Sequence, residues 1–314
     1  MPDVSVVMST YKENPNYVEE AINSILSQTY RNLELIIIVD WPENEPVKRL
    51  LYRRQAKDRR IVIVENEHNL GLANSLNKAL KIAKGDYICR MDADDVSEPA
   101  RIETQLAYLL KYKLDLVGGS MVVMDETGKD LYAIPQPPME PKFVEKALRW
   151  NNCVPHPTWF GTKSVFASGY RNIPLCEDYD FLIRASLSRK KIGNCDSVVL
   201  RYRMTSDSIS RSSLYRQYLY QVFITRAYAN DSFANLEEAK KYVDARDTRE
   251  KADRYAKANA IFNQTLSLIK SRRFAQSTKY AFRLLFTSKA YLNKILRLSI
   301  SSILSFCCIK MNKR

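Results

Sequence analysis
Four short apolar runs, at residues 4–8, 33–39, 61–64 and 87–91, alternate with stretches whose apolar residues recur at helical spacing. Strand-length runs that are apolar at nearly every position must be covered on both faces, which is the situation of parallel strands flanked by helices. The first two hundred residues therefore read as an α/β layer structure with a largely parallel, Rossmann-like sheet. Val18, Ala21, Ile22, Ile25 and Leu26 mark the first covering helix, and Leu72, Leu76, Ala79, Leu80 and Ala83 a later one entered through a turn at Asn69. Two of the runs end on an acid, Asp40 and Asp92. Open α/β sheets bind ligands outside the carboxyl ends of their strands, so these acids mark the expected site.

From about Leu114 to Met204 the pattern is more irregular, with strand-like stretches at 116–124 and 198–203 and a helix from Tyr179 to about Ser188. This reads as the second half of the same domain. Beyond Ser206 the chain reads as helical, with helices expected at 212–228, 235–244, 253–270 and 275–285. Charge marks the same boundary. Of the formal net charge of +14, residues 1–205 carry +1 (28 Lys+Arg against 27 Asp+Glu) and residues 206–314 carry +13 (21 against 8), with no acid after Asp253. We therefore expect a body at 1–205 and a basic helical region at 206–314.

The last uncharged run, 298–309, is shorter than the ~20 residues a spanning helix needs. Bracketed by Lys289, Lys294, Arg297, Lys310, Lys313 and Arg314, it reads as a segment lying on an anionic membrane. The alternative is a helix packed on the body or on a second subunit. The tail lacks the interleaved aromatic and basic residues of a single-strand platform, so no nucleic-acid partner is expected. Met1-Pro2-Asp3 lacks a basic stretch followed by an apolar one, so a cytoplasmic chain with reduced cysteines is expected. Two His and six Cys fall in no zinc-site spacing.

Asp92-Ala93-Asp94-Asp95, leaving a strand, is the sharpest chemical feature. Carboxylates at alternate positions can hold a hard divalent cation that takes phosphate oxygens for the rest of its shell. The competing reading is a solvated acidic turn before a helix near Pro99. In Glu177-Asp178-Tyr179-Asp180, a carboxylate could take a proton from an acceptor hydroxyl, or simply cap a helix. His156, between two prolines, is either a buried structural histidine or a metal or substrate contact.

These segments, in this order, resemble glycosyltransferase family 2, the inverting enzymes of GT-A fold. The resemblance rests on residues 4–13, the strand closing on Asp40, Asn69-Leu-Gly-Leu-Ala73, Arg90-Met-Asp-Ala-Asp-Asp95, His156-Pro-Thr158 and Glu177-Asp-Tyr-Asp180, and covers roughly residues 3–205. One departure is Trp41, where many members carry a small or acidic residue. The resemblance implies that Thr10, Tyr11 and Glu13 line the nucleotide pocket, that Asp40 contacts the base, and that Asn69 and Arg90 complete the nucleotide-sugar site. Asp92 and Asp94 match the family's D-x-D, with Asp94 the direct ligand of Mn²⁺ or Mg²⁺, and Asp178 matches the catalytic base, with His156 and Glu177 as further acceptor or metal contacts. It further implies a UDP-sugar donor and a lipid-linked glycan acceptor at the inner face of the cell membrane. The rivals are a nucleotidyltransferase, whose Gly-rich loop is missing after the first strand, and an anionic-polymer binder working through the tail.

Overall fold
The computed structural model describes residues 1–134, 136, 139–205 and 213–312, with the backbone alone in 305–312. Strands and helices alternate at first: β1 (Val4–Thr10), α1 (Pro15–Leu26), β2 (Leu33–Val39), α2 (Glu45–Gln55), β3 (Ile61–Glu65), α3 (Leu72–Ile82) and β4 (Tyr87–Asp92). β1 pairs in parallel with both β2 and β4, and β2 with β3, as the apolar runs predict. Next come β5 (Val96–Ser97), α4 (Arg101–Tyr112), β6 (Leu116–Met124), β7 (Asp130–Ile134), α5 (Pro141–Leu148), a 3-10 turn (His156–Thr158) and β8 (Phe160–Thr162). α6 (Lys163–Phe166), α7 (Glu177–Leu187) and β9 (Ile192–Arg203) complete the body. The nine strands form one sheet in the order β3-β2-β1-β4-β8-β6-β9-β5, with β7 on β6. β8 runs antiparallel between β4 and β6, while β9 is parallel to β6.

Strand periodicity sorts the core into two layers. Val6, Met8, Leu35, Ile37, Val39, Cys89 and Met91 face α1, α2 and α4, meeting Val18, Ile22, Val47, Leu51 and Ile102. Val7, Ile36, Ile38 and Ile88 face the other way, onto Leu76 and Ala79 of α3 and the α5–α7 side chains Phe143, Val144 and Leu182. Asn14 caps α1 by accepting from the Asn16 amide, and Pro15 begins the helix with its φ already suited to it.

The second layer continues into the basic region: α8 (Leu214–Ala229), α9 (Leu236–Asp244), α10 (Arg249–Lys270), α11 (Phe274–Leu285) and α12 (Lys289–Asn312). Leu219, Ile224, Tyr255 and Ala258 belong to the same buried cluster as Leu76 and Phe143, so these helices dock on the body. The junction at 206–212 lies outside the described residues.

α12 settles part of the expectation for the tail. Tyr291 is buried, its ring 5.0 Å from that of Tyr255 and its hydroxyl donating to Asn259 at 2.9 Å. Arg297 donates to Thr225 at 3.0 Å, and Leu292, Ile295 and Leu304 pack on the core. One side of the helix as far as Leu304 is thus packed, while Leu296 and Ile303 on it are exposed; Lys313, Arg314 and the side chains of Phe306 and Lys310 lie outside the described residues. Among the described residues no helix is long and apolar enough to cross a membrane.

Candidate active site
Parallel register brings Thr10, Asp40, Asn66 and Asp92 to one edge of the sheet, because Thr10 lies beside Val39, Val39 beside Glu65 and Ser9 beside Asp92. Each strand end feeds a loop whose polar groups face its neighbours. Thr10 Oγ1 and the Tyr11 amide both donate to Glu13 Oε2, at 2.7 and 2.6 Å, folding that loop back on the sheet. Beside it the Tyr11 and Trp41 rings lie 5.7 Å apart, with the Lys12 ammonium 4.5 Å from the Trp41 centroid.

Asp40 is buried and heavily engaged. Its Oδ1 accepts from Asn66 Nδ2 and the Leu70 amide, both at 2.8 Å, and Oδ2 from the Gly71 amide at 3.0 Å. The carboxylate therefore ties the end of β2 to the turn that opens α3. That turn needs a glycine, since Gly71 has φ +80°. Asn69 sits exposed on the same turn, its side chain accepting from the Gly71 amide at 2.9 Å.

The centre of the site is a crowd of acids around one buried guanidinium. Arg90, 2% exposed, donates to Asp92 at 2.5 Å, while its Nε is buried without a partner in the described structure. Burial, reinforced by Asp92 and Glu13, pushes the Asp94 carboxyl up to about 7. Asp95 is also raised, well above the usual carboxylate range, by burial and then by Asp92 and Asp94; its Oδ1 accepts from the Arg203 amide, and its Oδ2 has no partner among the described residues. A fully buried Asp95 rules out the solvated acidic turn. Glu13 is also raised, by burial first and with Asp92 adding to it.

Glu177 and Asp178 open α7 in the same field: Glu177 is pushed up to about 7 by burial, with Asp178 and Asp92 adding to it. Asp178 is raised by burial and held back by the Tyr179 amide and Arg90. It accepts from Asn152 Nδ2 at 2.8 Å and the Tyr179 amide at 2.7 Å. The helix cap is Cys176, so no acid here is the cap. Asp180 has a different role. Only 1% exposed, it accepts from Arg171 Nε at 2.9 Å and Arg184 Nε at 2.8 Å, pinning α7 to the loop before it.

His156 lies buried behind the cleft, Nε2 3.0 Å from the Tyr170 hydroxyl and its ring 4.5 Å from that of Trp159. Burial and then Arg90 hold its pKa well below 6.5, so it is neutral.

Arg203, at the end of β9, was not singled out in the sequence. Its Nε donates to the Asp94 carbonyl at 2.8 Å and Nη1 to the Glu126 carbonyl at 3.2 Å; Nη2 pairs with Glu20, and the guanidinium lies 4.2 Å from the Tyr17 centroid. It ties the Asp92–Asp95 loop to α1 and the β6–β7 turn. The strand-end rule that flagged Asp40 and Asp92 applies to Arg203 as well, since it closes an apolar strand.

Among the described residues no three His, Cys, Asp or Glu side chains converge as a ready-made metal cage. A hard cation does not require one: one or two carboxylates, phosphate oxygens and water complete its shell. Asp94 and Asp95, raised by burial and then by neighbouring acids, with no partner for Asp95 Oδ2 among the described residues, are groups that added positive charge would relieve, and Asp94 with the adjacent Asp92 fits that role. A separate groove of about 820 Å³ lies between α1, α2 and the β6–β7 turn. Its Arg60 and Arg201 are paired with Asp58 and Asp130, and it contains none of these acids.

The sequence model of "Glycosyl transferase family 2" matches residues 5–169, which includes the strand-end residues and His156 and stops short of Glu177. An uncharacterized glycosyltransferase of Methanocaldococcus jannaschii is 33% identical over 69% of this chain and 78% of its own. The O-antigen biosynthesis glycosyltransferase WbnJ of Escherichia coli is 33% identical over 67% of this chain and 83% of its own, and the amylovoran biosynthesis glycosyltransferase AmsE of Erwinia amylovora 29% over 66% and 78%. In fold, the chain superposes on residues 1–349 of S. aureus TarS in complex with UDP-GlcNAc with a TM-score of 0.57 at 15% identity, covering 77% of this chain and 70% of that one. The curled, mostly parallel sheet is thus the GT-A arrangement that the resemblance implied. With the family's sequence pattern over more than half its length and relatives that build polysaccharides, the chain belongs to glycosyltransferase family 2.

Proposed function
We propose that residues 1–205 form the catalytic body of a metal-dependent, inverting glycosyltransferase. It moves a sugar from a UDP-sugar to a hydroxyl of a glycan, lipid-linked, in O-antigen or capsule synthesis at the inner face of the cell membrane. The observation that carries this reading is that two acid groups, Asp92–Asp94 at a strand end and Glu177–Asp178 at a helix start, lie close enough for Asp92 to act on Glu177 and for the buried Arg90 guanidinium to act on both groups. The UDP-GlcNAc and UDP complexes of TarS favour a uridine nucleotide in a sheet edge of this kind, and the O-antigen and amylovoran relatives favour a polysaccharide acceptor.

In this reading Tyr11 and Trp41 flank the base, Asp40 and Asn69 hold and border its pocket, and Thr10 and Glu13 shape the floor. Arg90 orients Asp92 toward ribose and diphosphate, and Asp94 is the direct metal ligand. Mn²⁺ or Mg²⁺ bound there supplies positive charge to the departing diphosphate. The Asp178 carboxylate takes the acceptor hydroxyl's proton as its oxygen bonds to the anomeric carbon and the bond to the diphosphate oxygen breaks, that oxygen leaving with the electron pair as UDP. One displacement inverts the anomeric centre, so an α-linked donor gives a β-glycoside. Glu177 keeps the field around Asp178 negative, and His156 supports the cleft wall.

A panel of sugar nucleotides with Mn²⁺, read by nucleoside diphosphate release, tests this. Release from one or two UDP-sugars is expected; release from none of them, or release without added metal, contradicts it.

A further inference from the structure
Several of the exposed apolar side chains of the helical region gather on its outer hairpin, apart from Leu296 and Ile303 on α12. Leu266 and Ile269 near the end of α10, Phe274, Phe282 and Leu285 on α11, and Phe286 just after it are each between 46% and 76% exposed. α11 is an outer helix whose buried residues are Ser277 and Leu284. At 3.6 residues per turn, Phe274, Thr278, Phe282 and Leu285 form a second stripe, turned away from the Ser277–Leu284 line. The Phe282 and Phe286 rings meet edge to face at 5.1 Å. Single exposed apolar residues are ordinary, but a grouped aromatic stripe marks a contact surface.

Charge selects what it contacts. Lys270, Arg272, Arg273, Lys279, Arg283 and Lys289 are exposed among these side chains, and no acid follows Asp253. A second copy of the chain would set this basic surface against another of the same sign. An anionic bilayer offers the opposite charge, together with a boundary region that takes up Phe and Leu side chains. We propose that the α10–α11 hairpin is a surface by which the protein docks on anionic lipid. The surface deepens the proposed function by giving a lipid-linked acceptor a place to be met, and rests on that reading for its purpose.

The test is co-sedimentation of the full chain with vesicles of phosphatidylcholine containing 30% phosphatidylglycerol, as an example of an anionic lipid, or of phosphatidylcholine alone, at about 0.05 and 0.5 M salt. Wild type is expected to bind the anionic vesicles at least ~10-fold better at low salt. Phe282→Ser with Phe286→Ser should lower binding at least ~10-fold at both salts, and Lys279→Glu with Arg283→Glu chiefly at low salt. These side chains are exposed, and equal melting temperatures check the fold. Wild-type sedimentation by either variant, no binding by wild type, or a wild-type dimer that the Phe variant splits into monomers overturns the proposal. UDP titration of the same samples separates the two claims: UDP binding without vesicle binding removes the docking surface alone, and vesicle binding without UDP binding removes the donor reading alone.

Discussion
Two aspartates two residues apart, Asp178 and Asp180, should respond to the same Asp→Asn change in opposite ways. Asp180 holds two guanidiniums in a site 1% exposed. Removing one partner of a buried ion pair costs about 3–5 kcal/mol. Arg171 is 25% exposed and Arg184 9%, so solvent screening favours the lower end, about 3 kcal/mol. In a chain of this size that lowers Tm by roughly 5–10 °C. Asp178→Asn loses at most one hydrogen bond, about 1 kcal/mol, because Asn152 is fixed by the Val154 amide and cannot turn to suit an amide partner. Relief of a buried carboxylate offsets part of that loss. Transfer should nevertheless fall by about 10² to 10⁴, the usual worth of a general base. Scanning fluorimetry, UDP titration and acceptor-dependent UDP release are measured on both variants. The reasoning fails if Asp178→Asn turns over within a few-fold of wild type, or if Asp180→Asn abolishes transfer with an unchanged Tm.

Arg203→Lys keeps the charge but cannot reach the Asp94 and Glu126 carbonyls and Glu20 together, so metal-dependent UDP affinity should drop about 10-fold, the worth of roughly one hydrogen bond; wild-type affinity by calorimetry would contradict it. His156 is buried neutral, so below pH 6.5 the unfolded chain binds a proton that the folded chain refuses, and stability falls as pH falls. Relative to His156→Gln, wild type should lose about 1 kcal/mol more between pH 6.5 and 5.5 in urea melts, and identical pH dependence in the two proteins would count against it.

What was legible in the sequence follows from how fully each segment is buried. β1, β2 and β4 are covered on both faces, so their apolar runs gave both their existence and nearly their ends. β7 is exposed at all but its last position, and β5 and β8 are two and three residues long, leaving no period to read. β9 starts six residues before its apolar half because Asn194, Asp196 and Ser197 interrupt the pattern where the register with β6 shifts. α5, with Phe143, Val144, Ala147 and Leu148 inward, was hidden by its shortness within an irregular stretch. At the site, strand-end acids were visible because chain position alone places them. The burial of Asp95, the tie from Asp180 to Arg171 and the grip of Arg203 depend on partners 9 to 183 residues away, which no local pattern encodes.

The central claim is that the acids at the end of β4 bind a nucleoside diphosphate through a divalent cation. Calorimetric titration of UDP into wild type and Asp94→Asn, each with Mn²⁺ and with chelator, tests it most directly. The account predicts tight binding only for wild type with Mn²⁺, and weak binding in the other three conditions; equal affinity across all four would contradict it.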